Sequence, residues 1–165
     1  MAPAQSKGTP AIGLRDTTEA DLPLAFEWQR DPVANRMAAF TAKDPEDRGA
    51  YMAKWTKLLA DPTILSKTIL FDGRPVGTIA KFELEGRPNV TYWIDRAYWG
   101  RGFATHALSL FLGVVPIRPL YASAAKDNVG SLRVLEKCGF RVTGVKKGFA
   151  NARGRKIEEV MLELK

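Results

Sequence analysis

Hydrophobic and polar positions change their spacing repeatedly along the chain, and each change marks an element. Ile12–Arg15 (IGLR) alternates briefly and predicts a short strand. TTEADLPLAFEWQRD then predicts a helix carrying Leu22, Leu24, Phe26 and Trp28, with Thr17 or Thr18 as its N-cap. PVANRMAAFTAKD has no clear period and reads as loop with a helical turn at most. From Pro45 to Leu59 the pattern is that of an amphipathic helix, with Tyr51, Met52, Trp55, Leu58 and Leu59 on one face. SKTILFDGRPVGTIAKFEL contains two strand-like runs joined at Asp72-Gly73, a strong hairpin signal, and NVTYWID (Asn89–Asp95) predicts a third strand.

A helix is predicted to open within Gly100–Thr105 and run to about Gly113. PLYASAA (Pro119–Ala125) reads as a strand, and NVGSLRVLEKCGF as a helix stopped by Gly139. FRVTGVKKGF and RKIEEVMLEL read as two closing strands. The order β-α-α-β-β-β-α-β-α-β-β predicts an α+β domain with a largely antiparallel sheet. Residues 1–10, rich in Pro, Ala and Gly, predict a flexible tail, and residues 11–165 a single domain.

Composition narrows the chemistry. The single cysteine, Cys138, and single histidine, His106, leave no internal disulfide and no Cys/His zinc spacing, so no metal is expected. A serine triad would have to use His106, and the chain has no G-x-S-x-G elbow. The N-terminal ten residues lack the apolar core of a signal peptide. The longest apolar stretch, Ala107–Ile117, falls short of the ~20 residues that span a bilayer, so a cytoplasmic protein without membrane contacts is expected. The net charge of +7 favours anionic partners, either nucleic acid or a phosphate-rich small molecule. A nucleic-acid-binding domain would need a recognition helix or an aromatic platform interleaved with basic residues, and neither is evident.

The stretch YWGRGFATHAL (Tyr98–Leu108) places two glycines and an arginine at a helix start. Backbone N–H groups without partners gather at such a start, and glycine lets an anion approach them. By itself this is equally a tight turn. It is neither a P-loop nor a dinucleotide fingerprint, because the lysine of the first and the third glycine of the second are missing.

A second segment changes the picture. Asn128–Phe140 follows N-x-x-S-x-R-V-L-E-K-x-G-F in full. Trp99–Ala104 fits the end of Q/R-x-x-G-x-G/A through Gly102 and Ala104, with Trp99 in place of Gln or Arg. In this order the two segments resemble the GNAT superfamily of acyl-CoA-dependent N-acyltransferases, specifically the branch that includes ribosomal-protein-alanine N-acetyltransferases. The resemblance implies a mixed, mostly antiparallel sheet of six to seven strands flanked by about four helices. It implies acetyl-CoA as co-substrate, a primary amine of a protein N-terminus or small molecule as acceptor, and a monomer or homodimer. Backbone groups of Trp93 and Ile94 would pair with the pantetheine arm. Gly100, Arg101, Gly102, Phe103, Ala104 and Thr105 would hold the pyrophosphate, and Asn128 would position the cofactor.

Acyl transfer to an amine asks for a base, oxyanion donors and an acid near the departing sulfur. Relatives often carry the acid as a tyrosine where this chain has Leu135. Ser131 is the candidate here. A Glu-Gly pair that often follows the G-F is Thr143-Gly144 in this chain. The carboxylates nearest the expected cleft in sequence are Glu83, Glu85 and Asp95. Asp95 reads as a cap of the turn before Arg96, Glu83 is the candidate base, and a water chain is the alternative to a dedicated base. Without the tyrosine and the Glu of that pair, an acyl-CoA-binding sensor or pseudoenzyme is the alternative. His106, Cys138 and the basic run from Arg141 to Lys156 read as helix surface, packed thiol and solvated face respectively. The acids of the first two helices, among them Glu27, Asp44, Glu46 and Asp47, could form an acceptor pocket.

Overall fold

A computed structural model describes residues 11–165, so the predicted tail at 1–10 lies outside the described residues. Seven strands form one sheet in the order β1-β2-β3-β4-β5-β7-β6. They are β1 (Ile12–Asp16), β2 (Leu65–Phe71), β3 (Arg74–Leu84), β4 (Arg87–Ile94), β5 (Leu120–Ala125), β6 (Arg141–Ala150) and β7 (Arg155–Leu164). Five α-helices accompany them: α1 (Leu22–Arg30), α2 (Pro32–Ala38), α3 (Arg48–Leu59), α4 (Phe103–Val114) and α5 (Val129–Lys137).

The first four strands form an antiparallel meander whose two turns are chemically explicit. Asp72-Gly73 and Glu85-Gly86 all have positive φ, the geometry that matches a two-residue hairpin to the twist of its strands. Only β4 and β5 run parallel, and their pairing is confined to Asn89 and Tyr121, near the start of each strand. Beyond that point they separate, leaving a wedge toward their C-terminal ends.

One sheet face is covered by α4 and α5. Its core gathers Ile69, Val90, Ile94, Leu108, Phe111 and Leu135, among others. At about 25 cal/mol per Å² of buried apolar surface, this face supplies most of the driving force for docking the two helices. The other face carries α1, α2 and α3. α1 buries Leu22, Ala25, Phe26 and Trp28, while Leu24 of the same helix is 44% exposed. The predicted face of α3 is only half-buried, and it meets α1 through Tyr51 and Phe26, whose ring centroids lie 5.3 Å apart.

The segment read as loop contains α2. Asp31 accepts from the amides of Val33 and Ala34, and Pro32 occupies the first helical position, where no N–H is needed. The helix count therefore rises from the expected four or so to five. α2 is anchored by Asn35, buried to 7% exposure, which donates to Gln29 O at 3.1 Å and accepts from Thr41 Oγ1 at 3.0 Å.

Candidate active site

The wedge between β4 and β5 opens toward the end of β4 from which the chain passes, through the turn at Arg96–Tyr98, into α4. Asp31, Asp47 and Asn128 cap α2, α3 and α5 through their side chains, but α4 begins on Gly102 with no capping side chain and no acid in its first turn. The N–H groups at the helix start therefore have no side-chain acceptor. Gly100 and Gly102 hold φ of +76° and +79°, and a Cβ added at either would meet nothing within 4 Å. The glycines thus serve a left-handed path with open space beside it, a cradle that fits a pyrophosphate. Among the residues expected around it, Phe103 is buried and Ala104 and Thr105 are half-buried. The Arg101 guanidinium lies 5.1–5.6 Å from the centroids of Phe71, Tyr98 and Phe103. Stacking over three rings fixes this charge inside the loop.

On β4, strand alternation assigns the neighbours. Asp95 N–H donates to Val76 O at 2.8 Å, so residues 95 and 93 turn their backbone toward β3, and residues 92 and 94 toward the wedge. This corrects the expectation for Trp93, whose carbonyl crowds Gly77 of β3. Ile94 does face the wedge, but its carbonyl accepts from the Trp99 indole at 2.9 Å. The Ile94 N–H and the Tyr92 backbone are what β4 offers an extended arm.

Ser131 sits in the first turn of α5, its amide donating to Asn128 Oδ1 at 3.2 Å. Its hydroxyl meets the Tyr92 hydroxyl at 2.8 Å, and the Tyr92 hydroxyl also reaches Ser131 O at 3.2 Å. Burial pushes the Tyr92 phenol up to about 12, so it stays protonated at neutral pH. The pair bridges β4 and α5 across the wedge. Asn128 is engaged within the fold, with Oδ1 capping α5 and Nδ2 donating to Met37 O at 3.4 Å. It ties α2 to the start of α5.

Glu83 is not brought to this place. It lies opposite Pro88, near the start of β4, and pairs with Lys81 at 2.6 Å. At about 3.3 Å per residue, the distance along the strand to Ile94 is roughly 20 Å. Asp95 caps the turn after β4 through Ala97 N at 3.0 Å, as its position suggests. Leu135 is core, His106 is exposed, and Cys138 packs with Sγ 3.6 Å from Thr105 O. The basic run forms the β6–β7 hairpin, where Lys146 and Lys147 face Glu159 and Glu158. Arg153, its side chain 5% exposed, binds Asp127 at 2.8 Å and Arg36 O at 2.7 Å.

Sequence reasoning missed Tyr92. Alternation with Val90 and Ile94 places it on the helix-covered face, a signal available in NVTYWID. Its partner lies 39 residues away, and no local pattern announces that distance.

Residues 12–141 match the family profile described as an acetyltransferase (GNAT) domain. The chain belongs to the GNAT acetyltransferase family. A curated relative, the probable N-acetyltransferase YjcK of Bacillus subtilis, is 32% identical over 82 aligned positions, and the match covers 45% of each chain. The chain spans about half the length of the curated relatives it matches. Among solved structures, the spermidine N-acetyltransferase of Vibrio cholerae in complex with CoA and spermine has a TM-score of 0.78 at 19% identity. That likeness covers 93% of this chain and 94% of the other. RimJ of Mycobacterium smegmatis, in complex with CoA-disulfide, has a TM-score of 0.76 at 20% identity and covers 93% and 81% respectively. At these identities the likeness is one of fold. The solved neighbours come from several GNAT branches. Among the described residues, no helix is long and apolar enough to cross a membrane, and no cluster of His, Cys, Asp and Glu is set to hold a metal ion.

Proposed function

We propose that the protein is an acetyl-CoA-dependent N-acetyltransferase acting on a primary amine. The observation that carries this reading is the wedge between β4 and β5 opening onto the uncapped, glycine-lined start of α4. A thioester arm laid along β4 would find the Ile94 N–H beside it and N–H donors for its phosphates at residues 103–105. The amine then forms its N–C bond as the thioester C–S bond breaks. The Ser131 hydroxyl gives a proton to the departing sulfur and is refilled from water, while Tyr92 holds that hydroxyl in one orientation. With Glu83 distant, the acceptor ammonium releases one proton to solvent before it attacks, and the nitrogen releases a second to solvent as the amide forms, which balances the proton Ser131 takes back from water. The positions of Trp93 on the face of β4 away from α4 and α5, and of Asn128 at the start of α5, make them residues that shape the cleft.

Calorimetry with acetyl-CoA, followed by a thiol-release assay over a panel of amines, tests the reading. Micromolar binding and turnover that depends on the amine are expected. Binding without turnover on any amine points instead to an acyl-CoA sensor, and the lack of binding removes both.

A further inference from the structure

On the face of the sheet away from α4 and α5, a cavity of about 260 Å³ lies over the cross-strand pair Thr78 and Trp93. Its walls are Trp28, Phe40, Tyr51, Trp55 and Trp93. Much of its polar lining is already engaged. Gln29 donates its amide to Phe26 O and Pro45 O, and Thr41 donates to Asn35. The charges at its edge are Asp44, Asp47 and Lys54. One oxygen of each aspartate takes a backbone amide, and the other has no hydrogen-bond partner among the described residues. In a chain of net charge +7, this edge carries a local excess of one negative charge. The Trp93 indole N–H is buried and has no hydrogen-bond partner, so this wall offers a guest mainly ring surface.

The adjoining basin, which shares Ala42 and Pro45 with the cavity, has the opposite balance. Glu27 and Glu46 are both taken by Arg30, and Asp31 is taken by Arg96. Arg36 and Lys43 remain in its lining. A polyamine that placed one ammonium in the cavity would carry its next into this cationic surround. At ~30 Å³ per water-sized group, the cavity holds roughly nine such groups, enough for one aromatic ring with a two-carbon amine arm. Volume admits such a guest, and the balance of charge is what discriminates against a polyamine. Aromatic faces attract a cation and stack on a ring, and carboxylates at the mouth draw in one ammonium.

We propose that the acceptor is a small primary amine with a single positive charge on an aromatic body, an arylalkylamine held in this cavity beside Trp93. The proposal rests on the acetyl-transfer reading and names the amine for it.

The probe is 2-phenylethylamine, compared with spermidine and with a short peptide bearing a free N-terminal alanine. Thiol release at saturating acetyl-CoA should give 2-phenylethylamine a kcat/KM at least tenfold above both. Three of the four tryptophans line the cavity, so the amine alone should also shift intrinsic fluorescence saturably. Asp47→Asn keeps a side chain able to cap α3 while removing the charge, and should raise the amine KM several-fold. Trp55→Ala should raise it tenfold or more. Neither variant should change the calorimetric affinity for acetyl-CoA, which also shows that each is folded. A higher kcat/KM for spermidine or the peptide overturns the proposal, as does acetyl-CoA binding with neither turnover nor a fluorescence response from 2-phenylethylamine. Saturable amine binding without acetyl-CoA binding leaves the pocket standing and removes the transfer reading.

Discussion

Replacing Tyr92 by phenylalanine deletes one oxygen from the bridge between β4 and α5 and leaves the ring in place. That oxygen lies 2.8 Å from Ser131 Oγ and 3.2 Å from Ser131 O. Its loss leaves the half-buried Ser131 hydroxyl without this partner, at a cost of about 1 kcal/mol in folding stability. The catalytic consequence follows from rotamers. A serine hydroxyl has three staggered positions, and the phenol selects one of them. With the three populated evenly, the productive fraction falls ~3-fold, and loss of the polarising O–H adds to this. We expect kcat to drop by ~3–10-fold, with the KM for acetyl-CoA unchanged within about twofold. Ser131→Ala should cost ~100-fold, the lower end for a positioned proton donor. Because Tyr92 acts through Ser131, the double variant should be no slower than Ser131→Ala alone. Steady-state thiol release gives these rates, and urea midpoints show how much of each variant is folded. Rate losses that multiply in the double variant, or an undiminished kcat in Tyr92→Phe, would refute the coupling. The pH profile adds a check. The phenol is raised to about 12 by burial, so no loss of rate from its ionisation should appear below about pH 11. Its contribution to stability is present below pH 10 and disappears as pH climbs through 12.

Gly102→Asn tests the phosphate cradle without the strain that a branched side chain would bring, since Asn tolerates the left-handed region. Acetyl-CoA affinity by calorimetry should weaken ~10–100-fold, the equivalent of one charge-assisted hydrogen bond or two, while a small acetyl thioester lacking phosphates reacts as before. Equal losses for both thioesters would place the effect elsewhere. Gly77→Ala would drive a Cβ into the Trp93 carbonyl and to within 3.1 Å of Ile94 Cδ1. A loss of ~1–3 kcal/mol in urea denaturation is expected, and an unchanged midpoint would show that β3 and β4 part freely. Arg15 and the Thr18 amide hold the Asp21 carboxyl down at about 2, with the buried Thr68 hydroxyl adding to them. The lowered carboxyl contributes about 2 kcal/mol that is complete above pH ~4 and is lost as pH falls toward 2. Asp21→Asn should flatten that part of the acid denaturation curve, and an unaltered curve would assign acid lability to other carboxylates.

How far the sequence leads depends on the range of the physics involved. The Asp72-Gly73 turn was legible because two adjacent residues with positive φ suffice to make it. Gly139 was legible as a helix stop for the same reason, at φ +97°. α2 was not, because its stability does not come from its own seven residues. Its anchor Asn35 reaches Gln29 and Thr41, its carbonyl at Met37 takes the Asn128 amide, and its carbonyl at Arg36 takes Arg153. Those last two partners lie 91 and 117 residues away. Leu24 is exposed because two residues are about 200° around a helix, which turns it away from Leu22, while Phe26, four residues on from Leu22, returns to the buried side.

The same division runs through the candidate site. The glycine loop is local, and its left-handed residues stand where the spacing puts them. Ser131 could be named from its segment, but what orients it comes from a different strand. Glu83 fails for the complementary reason: closeness in sequence to β4 says nothing about which end of an antiparallel pair a residue occupies, and the turn at Glu85-Gly86 sends it to the closed end. Net charge misleads in a similar way. The basic run from Arg141 to Lys156 faces Glu158 and Glu159 across one hairpin, and Arg153 is spent on Asp127. The cradle proposed at α4 therefore rests on backbone N–H groups more than on side-chain cations. The cavity proposed for the acceptor shows the inverse case: Asp44 and Asp47 make a negative mouth on a positive protein because neither has an ion-pair partner among the described residues, whereas the neighbouring acids Glu27, Asp31 and Glu46 are each bound to an arginine. Which charges remain to meet a ligand is decided by this pairing, and pairing is a property of the fold.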